Sequence, residues 1–229
     1  MSSNTPSKDV RTLGYVMRRT NYGEADRILN IITPIGKLSA IARGVRKEKS
    51  RLAGGVEMFT LADFNIHQGK SDLAVVTGAK MVEHYGNILK DFAKLELAGM
   101  MLRRINVVAE SSDNPEYFTI IRQGLEGLNN GLDSNLVEGW FLMNVLRATG
   151  EEVNLYRDVN GDKLDAGFCY NWDVAENCFR LCDNGLYGVD EIKLLRLMYS
   201  AELRVVARVK GIDKMMGVVL PLVKTFARV

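Results

Sequence analysis

The chain has 229 residues, 47% hydrophobic and 25% charged, with a formal net charge of +2. That is enough for one large domain or two small ones around a sizeable core, and the composition is that of an ordinary soluble globular protein. No apolar run approaches the ~20 residues a membrane-spanning helix needs, so no membrane partner is expected, and the net charge by itself selects no partner at all.

The opening residues, Met1-Ser-Ser-Asn-Thr-Pro-Ser-Lys-Asp9, are polar and read as a short disordered lead, not a signal peptide, so the protein is expected in the cytosol. From Leu13 to about Tyr85 the pattern is β. The expected strands are Leu13–Thr20, Arg27–Thr33, Lys37–Arg43, Met58–His67 and Leu73–Val82. Turn signals separate them at Asn21-Tyr-Gly23, Pro34-Ile-Gly36, Ala53-Gly-Gly55 and Gln68-Gly69. Alternation is clearest in Ala62-Asp-Phe-Asn-Ile66, while Phe59 and Leu61 blur it. Five short strands in ~70 residues predict a small barrel or sandwich. A five-stranded barrel that binds polyanions on its face and loops is the OB-fold.

After Tyr85 the period becomes helical. Phe92, Leu95, Met101, Leu102, Ile105 and Val108 predict a helix over about 91–110. A second opens at Asn114-Pro115 with Asp113 or Asn114 as cap, and a third is capped by Ser134 and ends at Gly150. The stretch 154–188 is irregular and rich in Asn, Asp, Gly and aromatic residues. Two more helices are expected at Val189–Ala201 and Ile212–Phe226, the latter kinked or restarted at Pro221. The fold class is therefore α+β, a five-stranded barrel over residues 1–85 followed by an all-α domain over 86–229 with an irregular insert.

Charge divides along nearly the same line. Residues 1–80 carry 13 Lys and Arg against 7 Asp and Glu, a net +6, and residues 81–229 carry 17 against 21, a net −4. A basic front on an acidic body points to an anion-binding N-terminal unit, with nucleic acid the natural ligand. The front holds Arg18, Arg19, Arg27 and Lys37, and then the run Arg43-Gly-Val-Arg-Lys-Glu-Lys-Ser-Arg51. In that run Arg43, Arg46, Lys47, Lys49 and Arg51 are cationic, Val45 is the only apolar side chain, and a flexible turn, Leu52-Ala-Gly-Gly55, follows. Such a run suits contact with a polyanion, although most charge runs are merely solvated. Alternation puts Arg18 and Arg19 on opposite faces of their strand. Among nearby aromatics, Tyr15, Phe59 and Phe64 suit the core of a small barrel, and Tyr22, in a turn, is the best candidate for stacking on a base.

No catalytic constellation stands out. There is no P-loop, GxGxxG, HExxH or GxSxG, and His67 and His84 are the only histidines, so no enzyme is predicted. Cys169, Cys178 and Cys182 are an odd set in a chain without a secretory signal, which argues against a disulfide framework. A structural zinc site needs four ligands, and these three thiols fall short, so no metal or other cofactor is expected.

The runs Tyr15-Val-Met-Arg-Arg-Thr-Asn-Tyr-Gly-Glu-Ala-Asp-Arg-Ile-Leu29 and Gly36-Lys-Leu-Ser-Ala-Ile-Ala-Arg-Gly-Val-Arg-Lys-Glu-Lys-Ser-Arg-Leu52 resemble the opening of the bacterial RecO recombination-mediator family. Similarity is strong over 13–70 and diffuse beyond, with Glu191-Ile-Lys-Leu-Leu-Arg-Leu197 resembling a C-terminal helix of that family. The resemblance implies an N-terminal OB-fold, a helical domain and a role in RecF-pathway DNA repair. It implies binding to single- and double-stranded DNA, annealing of complementary strands, and action with RecR to load RecA on strands covered by single-stranded DNA-binding protein, in a cytoplasmic, nucleoid-associated setting. Many relatives carry a four-cysteine zinc module in the irregular segment. This chain keeps only three cysteines there, and Phe168, Tyr170, Trp172 and Phe179 are expected to hold the segment together instead.

The leading expectation is a DNA-binding mediator whose barrel cations neutralise phosphates without reading sequence. Two alternatives stand beside it, a partner-binding scaffold and an RNA-binding OB-fold protein.

Overall fold

A computed structural model describes residues 8–69 and 73–228; the polar lead before Lys8 lies outside the described residues. Five strands come first: β1 (Lys8–Tyr22), β2 (Asp26–Thr33), β3 (Gly36–Ala42), β4 (Thr60–Gln68) and β5 (Ala74–His84). They form a closed barrel in the order β1-β2-β3-β5-β4, antiparallel throughout except where β3 meets β5. Closure gives every strand two neighbours, with β3 and β5 joined by the short pairing of Ala40 with Ala74 and Ile41 with Val75.

β1 is the exception in length because it serves two partners. Its first half pairs with β4, from Lys8 opposite Gln68 to Tyr15 opposite Leu61, and its second half pairs with β2 as far as Tyr22 opposite Asp26. The register slips between Val16 and Arg18, a bulge that lets the strand bend from one neighbour to the other. This corrects the sequence reading at the N-terminus. Lys8 and Asp9 have no apolar signal, yet they belong to β1 because the ladder to β4 extends that far, and His67 Nδ1 lies 2.7 Å from Asp9 Oδ1.

Inward-facing Val16, Leu29, Ile31, Ala40, Phe64 and Ile66 fill the barrel. The segment between β3 and β4 departs from expectation. Instead of a flexible turn it contains a short 3-10 helix, Ala53–Val56, whose Val56 is fully buried in the same core. Gly55 is needed there for close approach, since a Cβ on it would sit 2.5 Å from the carbonyl oxygen of Ala79. Gly54 has nothing within 4 Å of that position. Gly55→Ala is therefore expected to cost about 1–3 kcal/mol in denaturant unfolding, through overpacking against rigid backbone, while Gly54→Ala changes little.

The switch from strand to helix falls after Tyr85, but the compact units divide later, as Met1–Asn129 and Asn130–Val229. The reason lies in α1 (Phe92–Val108) and α2 (Glu116–Asn129), which pack on the barrel. Asp91 caps α1 by accepting from Lys94 N at 3.2 Å, and Asn114 accepts from Glu116 N at 2.9 Å at the start of α2. On the outer surface of β2 and β3, Asn30 Nδ2 donates to Asn106 Oδ1 at 3.0 Å. From α2, Phe118 meets Tyr15 with ring centroids 5.6 Å apart. Behind it the Tyr15 and Tyr85 hydroxyls share a buried hydrogen bond of 2.8 Å, and burial pushes both phenols above the ordinary tyrosine range.

The second unit holds α3 (Ser134–Ala148), a hairpin of β6 (Tyr170–Asp173) and β7 (Cys178–Leu181), then α4 (Val189–Ser200), the single turn α5 (Leu203–Val206) and α6 (Ile212–Phe226). It is thus not purely helical. The cap of α3 is Asp133, one residue before the Ser134 expected, with its carboxylate accepting from Asn135 N and Leu136 N at 2.9 and 3.0 Å. α3 is the centre of this core. Trp140, 1% exposed, donates from Nε1 to Ala201 O at 2.8 Å, and Asn144 donates to Met198 O at 2.9 Å. α6 continues as one helix through Pro221.

Candidate nucleic-acid interface

The basic run sits at the end of the barrel where β3 gives way to the connection toward β4, and it is built into the barrel. Val45 points inward, 4% exposed, and belongs to the central core cluster. The one apolar side chain of the run is thus spent on the barrel core. One buried valine is worth ~1.5–3 kcal/mol of anchoring and turns its neighbours outward. Gly44, at φ +64°, supplies the left-handed turn that starts the loop.

Three bonds then tie the loop to the β1–β2 hairpin. Gly44 N donates to Asp26 Oδ1 at 2.7 Å, Arg46 N donates to Ala25 O at 2.9 Å, and the Arg46 guanidinium reaches Gly23 O at 3.4 Å. Within the loop, Lys47 N bonds Gly44 O and Ser50 N bonds Lys47 O, so consecutive turns fix the backbone. Arg43, Arg46, Lys47, Lys49 and Arg51 are all exposed on this frame, with Glu48 as the one acid among them. Among the described residues, Arg43, Lys47, Lys49 and Arg51 have no ion-pair partner, which leaves their charge available to a ligand.

The remaining cations divide by face. Arg19 lies opposite Leu29 across the β1–β2 ladder, and Arg27 lies opposite Ala42 across the β2–β3 ladder, so both follow the inward parity and come out at the loop end of the barrel. Arg27 Nε donates to Asn21 Oδ1 at 3.3 Å, and Arg19 is already paired with Glu57 at 2.7 Å. Arg18, opposite Asn30, is exposed on the other face and makes no ion pair among the described residues. Lys37 is elsewhere altogether. It sits at the far end of β3 from Arg43, roughly 20 Å away along the strand. There its side chain is 11% exposed, and the ammonium donates to Asn106 O at 3.1 Å and to Glu110 at 3.0 Å. Its charge fastens α1 to the barrel, and nothing in the sequence around it distinguishes that role from the others.

Tyr15, Phe59 and Phe64 are buried, while Tyr22 stands 56% exposed at the tip of the β1–β2 hairpin, beside the strand ends that carry Arg27 and Arg43. A cationic loop and an exposed ring on one barrel end can do two things chemically: neutralise a phosphate chain and stack on a base. Neither reads a sequence.

Among the described residues no three His, Cys, Asp or Glu side chains gather at one point. Cys182 N bonds Cys169 O at 3.0 Å, while Cys178 is buried on β7, where burial pushes its thiol up. Three thiols in this arrangement do not fit a four-ligand site. Edge-to-face aromatic packing holds the insert. Trp172 meets Phe179 at 5.0 Å and Phe226 of α6 at 4.6 Å, and Phe179 meets Tyr170 and Tyr187 at 6.2 and 5.8 Å. Phe168, expected in this cluster, is 54% exposed and stands outside it, and Tyr187 and Phe226 take part without having been foreseen.

Residues 7–85 match the family model described as Recombination protein O N terminal. A protein named DNA repair protein RecO from Dehalococcoides mccartyi strain 195 is 31% identical over 218 residues, covering 90% of this chain and 84% of the relative. Its counterpart in strain CBDB1 is 28% identical over the same shares. A protein of the same name from Heliobacterium modesticaldum is 28% identical over 231 residues, covering 95% of this chain and 84% of the relative.

Proposed function

The chain belongs to the RecO family of DNA repair and recombination proteins, and on that premise we propose that it is a recombination mediator working by binding alone. The barrel end bearing Arg43, Arg46, Lys47, Lys49 and Arg51, with Arg27 and Tyr22 beside it, grips single- and double-stranded DNA through phosphates. By screening the repulsion between two strands, that surface promotes annealing of complements. In the cell the protein acts in the cytoplasm with RecR to place RecA on strands covered by single-stranded DNA-binding protein. The observation that carries this reading is the built-in basic loop: its backbone is fixed by Val45 and by bonds to the β1–β2 hairpin, and most of its cations are left unpaired among the described residues.

The test is binding of a fluorescent single-stranded oligonucleotide from ~50 to ~200 mM salt, run beside annealing of complementary strands. Log affinity is expected to fall linearly with log salt, at about 0.7 per phosphate neutralised. A flat salt response with no annealing refutes the reading and leaves a partner-binding scaffold. The same titration on RNA of identical sequence should give no tighter binding, since phosphate contacts ignore the 2′-OH; a marked RNA preference would move the assignment to RNA.

A further inference from the structure

The acidic character of the second unit is not uniform. Residues 130–202 carry 6 Lys and Arg against 13 Asp and Glu, a net −7, whereas residues 203–229 carry 6 against 1, a net +5. The near cancellation hides a basic C-terminal corner made of α5, the turn after it and α6. Its sequence alternates anchors and cations. Leu203, Val206, Ile212 and Met216 are buried, and Arg204, Arg208, Lys210 and Lys214 between them are exposed. The connection is rigid, with Val209 N bonding Val206 O at 3.0 Å and Lys214 N bonding Gly211 O at 3.2 Å.

Ion pairing removes two of the six charges, since Arg204 pairs with Glu202 and Lys224 pairs with Glu138 at 2.9 Å. Arg208, Lys210, Lys214 and Arg228 are exposed and have no partner among the described residues, and Asp213 is the one acid in their segment. We propose that this corner of the second unit, centred on Arg208, Lys210 and Lys214, is a further phosphate-binding surface for a DNA strand. The proposal rests on the DNA-binding reading above and adds where a second strand is held. Phosphates are favoured over an acidic peptide by the distribution of the cations. They are spread over exposed positions, and among the described residues Val205, 43% exposed, is the one large apolar side chain exposed between Leu203 and Met216, which offers little to select peptide side chains. Annealing demands two strands at once, and a protein with two cationic surfaces has phosphate contacts to offer to each.

The experiment uses the full chain with Arg208→Ala, Lys210→Ala and Lys214→Ala combined, beside a barrel-loop variant. The expected result is a salt slope for single-stranded DNA shallower by about 2 units and annealing slower by at least ~10-fold, with an unchanged thermal unfolding midpoint because the three side chains are exposed. Arg208→Lys with Lys214→Arg should retain wild-type annealing, as charge is kept. A triple variant with wild-type slope and annealing, while the barrel-loop variant is impaired, overturns this inference and leaves the functional reading standing. Loss of binding to poly-glutamate with DNA slope and annealing unchanged overturns it in favour of an acidic partner. A wild-type protein that shows no salt-dependent DNA binding overturns both.

Discussion

Changing Arg46, Lys47, Lys49 and Arg51 together to alanine is expected to lower the salt slope of single-stranded DNA binding by up to about 3 units and to weaken binding on the order of 10²–10³-fold at ~0.1 M salt. The figure follows from counterion release at about 0.7 per contact, taken over four contacts at their upper limit. Stability should hardly change. All four side chains are exposed, and the substitutions remove only the long, exposed Arg46–Gly23 O bond while leaving Val45, the Gly44–Asp26 bond and the Arg46 N–Ala25 O bond in place. Binding and unfolding measured on the same variant separate a lost contact from a lost fold. Equal affinity and equal slope would remove the loop from the interface. A control at Lys37, whose ammonium is spent on Asn106 O and Glu110, should act the other way round: Lys37→Ala should loosen α1 from the barrel with little effect on the salt slope.

The largest stability effect is expected at Phe64. It is fully buried, lies in the cluster that also holds Val45, and a Cβ on Gly14 would lie 3.3 Å from its ring, so on that side the ring packs against glycine backbone and no side chain there can move in to fill a gap. Phe64→Ala removes most of a ring from a closed barrel whose strands are fixed by their ladders, and the cavity cannot collapse. About 3–5 kcal/mol is expected, measured by urea unfolding of the whole protein followed through the barrel transition. Because Val45 is anchored in the same core, DNA binding should fall at urea concentrations where the variant barrel has melted and the wild type has not. Binding that survives complete loss of the barrel transition would place the DNA site outside the barrel.

How legible all this was in the sequence depended on the kind of signal. Strands β2 to β5 and the helices α1, α3, α4 and α6 were readable because each has an apolar period and a turn or cap at its ends. β1 was readable only from Leu13 on, since Lys8 to Thr12 are held by backbone pairing with β4, and ladders leave no trace in side-chain pattern. The loop's cations were plain in the sequence; its rigidity was not, because it depends on one valine and on Asp26, eighteen positions before the Gly44 it holds. Lys37 looked like its basic neighbours because charge counts take no account of a tertiary partner such as Glu110, 73 positions away. The division after Asn129 was hidden for the same reason, since whether a helix packs backward or forward along the chain is not a local property. The C-terminal basic corner was visible in the sequence but averaged away by summing over too long a window.

The anchoring of the basic loop has a thermodynamic consequence. A disordered cationic arm must be ordered when it meets DNA, at ~1–2 kcal/mol for each residue whose backbone is immobilised. Here the backbone from Gly44 to Ser50 is already set by Val45, Asp26 and Ala25, so capture of a strand restricts only lysine and arginine rotamers. With no folding step coupled to contact, association can run near the electrostatically steered limit, and release needs no unfolding of the loop. Under the proposed function that reversibility suits annealing, in which mismatched pairs must part and re-form many times before two complements align.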